Sequence, residues 1–299
     1  MKKIAILLPV FNHLDYTKKC LQNLDSMLKA SAVESQFPIV VIDDGSTDGT
    51  SDWIRKHFPQ IELLQGSGNL WWSGGINLGA GHALENLHCD YVLLWNNDIQ
   101  VDESYFLNCL KLTDTYDEGT LLGSKIYADT KRTTIWSMGG YFNPRNGKTG
   151  MHAFMVPESP AYQEPREVDW ITGMGTLVPA RVIQKIGYWD AENFPQYHGD
   201  TEFTYRAKRQ GFRNIISPDL VIWNDISNTG LSHQDRFRTL LRLLSDKRSL
   251  YNYHVNIAFL KKYGRGPFSR CHLAGRYIRL FAGFLKWKIL GIFRMKRQA

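Results

Sequence analysis

Ile39-Val-Val-Ile-Asp-Asp-Gly-Ser-Thr-Asp48 is the stretch on which the fold turns. Its apolar start is a short continuous run of the kind a fully buried strand uses, and it stops abruptly at two aspartates and a turn-forming Gly-Ser. Thr47 to His57, just downstream, predicts a short helix. Upstream, Ile4 to Val10 is a second continuous apolar run, and Asn12 stands where it would cap a helix carrying Leu14, Leu21, Leu24 and Leu28 on one face. Ile61 to Leu64 reads as a third strand, and the glycine-rich segment Gly66 to Gly81 leads into a helix that runs through Glu85. Tyr91 to Trp95 reads as a fourth strand, ending in Asn96-Asn97-Asp98. Strand and helix alternating over ~100 residues is the pattern of a parallel, doubly wound α/β sheet.

Ligands of such sheets bind beyond the carboxyl ends of the strands. Here Asn12, Asp43/Asp44, Asn69 and Asn96/Asp98 all fall at those ends. Any one of them also reads as a turn or cap residue; their recurrence at corresponding strand ends points to a site. Beyond them, Gly119 to Pro165 reads as a loop-rich excursion with a hairpin at Asn143-Pro-Arg-Asn-Gly147. Regular pattern returns at Trp170 to Pro179, followed by helices over Ala180 to Ile186 and Asp200 to Gln210.

The composition of the 299 residues, 43% hydrophobic and 22% charged, excludes a disordered or collagen-like chain. Cys20, Cys89, Cys109 and Cys271 show neither zinc nor disulfide spacing and fit a reducing compartment. The apolar start stops at Pro9 with no small-residue cleavage site after it, so it reads as a strand and not a signal peptide. No run reaches the ~18 apolar residues of a membrane span. Charge is divided unevenly. From Lys247 onward there are 13 basic and no acidic residues, which leaves 23 basic against all 29 acidic residues before it. A basic tail on a mildly acidic body points to an anionic partner.

Asp98, with Asn96 two positions earlier, offers oxygen ligands to a hard divalent cation, Mn²⁺ or Mg²⁺. An Asx turn that ends the strand uses the same residue types. The absence of a P-loop argues against a kinase or ATPase, and no G-x-G-x-R-L loop of a nucleotidyltransferase follows the first strand.

Taken together, Pro9-Val-Phe-Asn12, Ile42-Asp-Asp-Gly-Ser-Thr-Asp48, Asn69-Leu-Trp-Trp-Ser-Gly-Gly-Ile-Asn77 and Asn96-Asn-Asp98 resemble a family 2 glycosyltransferase of GT-A fold. The Asn-Asn-Asp variant and the Gly-Gly-x-Asn segment are similar to its bacterial rhamnosyltransferase-like branch. The resemblance continues through Ile171-Thr-Gly-Met-Gly, Gly187-Tyr-Trp-Asp190 and Tyr197-His-Gly-Asp-Thr-Glu-Phe-Thr-Tyr-Arg-Ala207, covering about residues 3 to 225. It implies a nucleotide-sugar half over 1–118, an acceptor half over 119–225, and a helical extension over 226–299.

The resemblance also implies roles. Phe11 would stack on the nucleobase, Asp44 would accept its N3–H, and Asp43 would shape the pocket, with Pro9 and Asn97 beside them. Asn69, Gly74, Gly75 and Asn77 would line the ribose and diphosphate. Asp98, assisted by Asn96, would hold the metal, and Asp200 would be the general base of an inverting transfer. Asp200 equally suits a helix cap or first turn. The implied donor is a UDP- or dTDP-sugar, with dTDP-rhamnose favoured, and the acceptor a hydroxyl of a lipid-linked surface glycan. The alternative is a catalytically silent homologue that binds sugar nucleotides or glycans as a scaffold.

Two departures stand out. The family commonly has an acidic pair where this chain has Gly199-Asp200, and a histidine metal ligand where it has Val221-Ile-Trp-Asn-Asp225. Asp225 or His233 are the possible substitutes. Arg248 either reaches the diphosphate or is a solvated helix charge. Trp71, Trp72, Trp136 and Trp170 offer walls for sugar rings or ordinary core.

Wound at 100° per residue, 270–297 places Arg276, Arg279, Lys286, Arg294 and Arg297 within about 80° of one another. Ile278, Phe281, Phe284, Leu285, Ile289, Ile292 and Phe293 lie mostly elsewhere on it. This cationic amphipathic helix suits an anionic membrane surface, with the protein peripheral to the inner face of the cell membrane in the cytoplasm; the alternative is a helix packed on the catalytic domain with its basic strip in solvent. No nucleic-acid-binding motif accompanies the charge, so nucleic acid is not expected as a partner.

Overall fold

A computed structural model describes residues 2–128, 131–224 and 237–295. Its elements in chain order begin with β1 (Ile4–Val10), α1 (Leu14–Ala30), β2 (Ile39–Asp43), α2 (Thr50–His57), β3 (Glu62–Gln65), α3 (Trp71–Glu85) and β4 (Tyr91–Leu94). Then come β5 (Ile99–Val101), α4 (Tyr105–Thr115), β6 (Thr120–Tyr127), β7 (Thr134–Ser137), β8 (Gly140–Phe142), β9 (Thr149–Met151) and β10 (Val156–Pro157). The rest are β11 (Arg166–Glu167), β12 (Thr176–Pro179), α5 (Ala180–Ile186), α6 (Gly199–Arg209), β13 (Arg213–Asn224), α7 (Phe237–Ser245), α8 (Tyr253–Tyr263) and α9 (Pro267–Met295). They form two compact units, one of Met1–Tyr141 with Met151–Ser227, the other of Phe142–Gly150 with Asn228–Ala299.

The first unit is built on one mixed sheet in the order β10-β7-β6-β12-β4-β1-β2-β3, with β13 parallel to β6. β1 lies between β2 and β4, parallel to both, and β12 runs antiparallel to β4. The period-two alternation of β1 divides the core. Ile4, Ile6 and Leu8 pack against α1 and α4 (Leu21, Leu24, Phe106, Cys109), whereas Ala5 and Leu7 pack against α3, α5 and α6 (Ile76, Ala80, Val182, Phe203). Helices therefore cover both faces, and the central parallel strands β1, β2 and β4 are buried on both sides, whereas β3 at the edge is partly exposed.

Three local expectations are corrected. Asn12 does not cap α1: it sits at φ 56° and its Oδ1 accepts the Thr47 N–H at 2.9 Å. The free N–H of Leu14 goes instead to Asp48 Oδ2, at 2.9 Å. That exchange also shortens α2, since Asp48 accepts from the Thr50 hydroxyl at 2.6 Å and the helix begins at Thr50 instead of Thr47. The stretch read as loop-rich contains β6, every residue of which is buried. Its polar Ser124 donates to the Gly175 carbonyl at 2.8 Å, and buried Lys125 pairs with Glu158 at 2.7 Å, so neither leaves an uncompensated group. The expected hairpin is present as β8–β9.

Within the second unit, Phe142 packs edge-on against Phe259 of α8 at 5.1 Å, and Asn252 caps α8 through the Val255 N–H. Arg276 of α9 is corrected: it does not belong to a free basic strip. Its guanidinium donates to Asn256 Oδ1 at 3.1 Å and to the Leu250 carbonyl at 3.0 Å, over the Tyr251 ring. Ile278, Phe281 and Leu285 are exposed, as are Arg270, Arg279 and Lys286. At 100° per residue the three apolar residues share an arc of about 60°, with Arg270 on one flank and Arg279 and Lys286 on the other. The side chains of Arg294 and Arg297 lie outside the described residues. Among those residues no helix is long and apolar enough to cross a membrane.

Candidate active site

The carboxyl ends of β1, β2 and β4 open toward the first turns of α3 and α6, and the polar clusters of the sequence gather there. Phe11, one residue past β1, keeps 58% of its surface exposed, an unusual cost for an aromatic ring and a free face for stacking. Asp43, almost fully buried, accepts the Ser46 N–H at 2.8 Å and the hydroxyl of Ser51, and so shapes the turn after β2.

Asp44 does more than face a base. Its carboxylate accepts main-chain N–H groups from Gly68 (2.8 Å), Leu70 (2.8 Å) and Trp71 (3.0 Å). It ties the end of β2 to the start of α3, where these N–H groups would otherwise lack partners. Trp71 needs that hold, because it sits at φ 58°, a conformation costing of order 1–3 kcal/mol for such a residue. Its indole N–H also reaches Asn69 Oδ1 at 2.8 Å. Asn12 and His13, on the turn from β1 to α1, and His198, just before α6, are likewise at positive φ.

Several expected donor residues face elsewhere. Asn77 is corrected: its amide donates to the Trp189 carbonyl at 2.8 Å and accepts the Trp189 N–H at 2.9 Å, so both ends lock α3 to residue 189. Gly75 is buried, and a Cβ there would lie 3.1 Å from Pro9 Cβ, so its missing side chain lets α3 pack closely on β1 at Pro9. Gly74 abuts Leu70. The Asn97 amide donates to Thr17 of α1 at 3.3 Å. Trp170 is core, its indole N–H on the Tyr141 carbonyl, and Trp136 packs on the opposite core face. Arg248 pairs with Asp246 in the second unit.

Asn96 and Asp98 follow β4. Burial pushes the Cys20 thiol up to about 12, and the Asp98 charge adds in the same direction, which puts that carboxylate within electrostatic reach of α1. Two oxygen donors at a strand end have the right chemistry for a hard cation, which usually takes one or two carboxylates and completes its shell with phosphate and water. Among the described residues no three His, Cys, Asp or Glu side chains are grouped to hold a metal. Asp225 and His233 lie outside the described residues.

Asp200 lies in the first turn of α6, half-buried. Burial raises its pKa above the ordinary carboxylate value, against the pull of N–H bonds from Gly173 (2.7 Å) and Thr201 (2.7 Å). The Tyr197 phenol is pushed up by burial and by this carboxylate. Position 199 has no room for the family's first acid, since a Cβ there would lie 2.1 Å from Ser73 Oγ. Ser73 itself donates to the Phe194 carbonyl at 2.6 Å, so the start of α3 occupies the space that side chain would need.

Fold and site define a class. The chain belongs to glycosyl transferase family 2, whose model matches residues 5–163. It is a glycosyltransferase of GT-A fold. It is 24% identical to a low-salt glycan biosynthesis hexosyltransferase, Agl10, of Haloferax volcanii over 74% of this chain and 68% of that one. It is 25% identical to an N-acetylglucosaminyl-diphospho-decaprenol L-rhamnosyltransferase of Mycobacterium tuberculosis, over 70% and 74%. The mannosyltransferase PcManGT from Pyrobaculum calidifontis, solved with GDP-Man and Mn²⁺, superposes with a TM-score of 0.51 at 14% identity, over 95% of this chain and 82% of its own. GalNAc-T7, solved with UDP, GalNAc and Mn²⁺, gives 0.57 at 11% identity, over 74% and 43%.

Proposed function

We propose that the protein is an inverting, metal-dependent glycosyltransferase that moves a sugar, with L-rhamnose favoured, from a UDP- or dTDP-sugar to a hydroxyl of a lipid-linked surface glycan. The observation that carries this reading is Asp200: a half-buried carboxylate of raised pKa, held by Gly173 and Thr201 at the rim where β1, β2 and β4 end. The rhamnosyltransferase relative, whose name specifies a diphospho-decaprenol acceptor, supports the choice of sugar and acceptor class.

In this reading Phe11 stacks on the base, and the acceptor site of Asp44 that Gly68, Leu70 and Trp71 leave unused takes its N3–H. Asn96 and Asp98 hold Mn²⁺ or Mg²⁺, which when bound offsets the charge that builds on the diphosphate. The acceptor hydroxyl loses its proton to Asp200 as its oxygen bonds to the anomeric carbon. The bond from that carbon to the diphosphate oxygen breaks on the opposite face, so the configuration inverts. A base whose pKa is raised toward the working pH is better matched to this transfer than an ordinary aspartate. The donor half is 1–118, the acceptor half 119–225 and the helical extension 226–299. Calorimetric titration with UDP, dTDP and GDP tests the donor class. Tight Mn²⁺-dependent binding of UDP or dTDP supports it, and preference for GDP overturns it.

The exposed arc of α9 with its flanking cations supports peripheral attachment to an anionic membrane, at the cytoplasmic face. Each cation near such a surface contributes about 1 kcal/mol. Replacing Arg270, Arg279 and Lys286 together by Gln is therefore expected to weaken binding to phosphatidylglycerol vesicles on the order of 100-fold. Equal flotation of both proteins would remove the helix as the anchor.

A further inference from the structure

Trp72 touches both ends of the proposed reaction. Its indole N–H lies 3.3 Å from Asn96 Oδ1, at the leaving-group end. The benzo ring lies over Gly173, so closely that a Cβ at 173 would sit 2.5 Å from Cζ2 and 2.8 Å from Cη2. The N–H of that same Gly173 donates to Asp200 Oδ2 at 2.7 Å. The Trp72 main chain is fixed as well, its N–H on Gln196 Oε1 at 3.2 Å, and it follows Trp71, which Asp44 holds at φ 58°. A tryptophan needed only for core filling has no use for a strained turn, a polar contact to a candidate ligand residue and a glycine cut to its shape.

We infer that Trp72 is a positioning residue, resting on the glycosyltransferase reading: it turns the Asn96 amide oxygen toward the cation and holds the Gly173–Asp200 pair at a set distance from it. An amide oxygen has two lone pairs, so the indole N–H engages one and leaves the other for the metal. Groups that orient a ligand in this way typically govern metal affinity by 10- to 100-fold. The indole also makes a rigid spacer between the Asn96 end and the Asp200 end, so displacement of one is felt at the other.

The test compares Trp72→Phe, Gly173→Ala and the double variant in the full chain. The probes are Mn²⁺ titrated calorimetrically with saturating UDP or dTDP, and the thermal midpoint without ligand. Phenylalanine lacks both the N–H and the far ring, so Trp72→Phe is expected to weaken Mn²⁺ about 10-fold. Gly173→Ala is expected to lower Mn²⁺ affinity and thermal midpoint in the parent but to cost much less in the Trp72→Phe background, where the colliding ring is gone. Wild-type Mn²⁺ affinity in Trp72→Phe, or the same cost of Gly173→Ala in both backgrounds, overturns the inference. If the parent binds Mn²⁺–nucleotide and Asp98→Ala does not, such a result sinks the Trp72 role alone. If the parent binds none, the proposed metal-dependent use of a UDP- or dTDP-sugar fails and the Trp72 role falls with it.

Discussion

Asp200→Asn is expected to reduce turnover by 10²- to 10⁴-fold while leaving nucleotide binding near that of the parent. The change keeps the shape of the side chain but removes the proton acceptor. It also sets an NH₂ against one of the two N–H donors that now meet the carboxylate, from Gly173 and Thr201, so one hydrogen bond is lost as well. That loss costs about 1–3 kcal/mol of stability and is read separately as a lower thermal midpoint. The pH dependence follows from the same residue. Because burial raises the Asp200 pKa, the group is protonated, and inactive as a base, up to a higher pH than an ordinary aspartate of ~3.9. Activity therefore falls as the pH is lowered through that raised value, and the acid limb of kcat/KM lies above the usual aspartate range. An acid limb at the ordinary value, or near-parental turnover of Asp200→Asn, would remove Asp200 as the base.

Asp98→Ala is expected to have the second large effect. Asp98 is the only carboxylate within the Asn96-Asn97-Asp98 turn, so its loss leaves a hard cation one amide oxygen there. Charge on the departing diphosphate then lacks a stabilisation worth several kcal/mol, on the order of 10²- to 10³-fold in turnover. Mn²⁺ no longer strengthens nucleotide binding, and the variant behaves as the parent does with chelator. Nucleotide binding that stays metal-dependent in Asp98→Ala would move the cation elsewhere.

How far the sequence carries this picture depends on what each residue's neighbours are. β1, β2 and β4 were legible because parallel strands buried on both faces become short apolar runs, and their ends were legible because those runs stop at Asp and Asn. β6 escaped because Gly123-Ser124-Lys125 interrupts its run, and the partners that make those residues tolerable, Gly175 and Glu158, are distant in sequence. The same limit applies at the site. Asp44, Asn77 and Gly75 were legible as special, yet sequence gave no way to see that Asn77 clamps Trp189 or that Gly75 meets Pro9. Gly173 and Gly199 carried one signal each, a glycine in an otherwise apolar or acidic motif. The indole and the serine that demand those glycines lie about a hundred residues away in the chain.

The most direct test of the central claim is release of nucleoside diphosphate from UDP-, dTDP- and GDP-sugars with Mn²⁺, Mg²⁺ or chelator, for the parent, Asp98→Ala and Asp200→Asn. With a lipid-linked glycan acceptor present, the account predicts metal-dependent release from one UDP- or dTDP-sugar, lost in both variants, with Asp200→Asn still binding the nucleotide. Release that is indifferent to chelator, or that persists in Asp200→Asn, would contradict it.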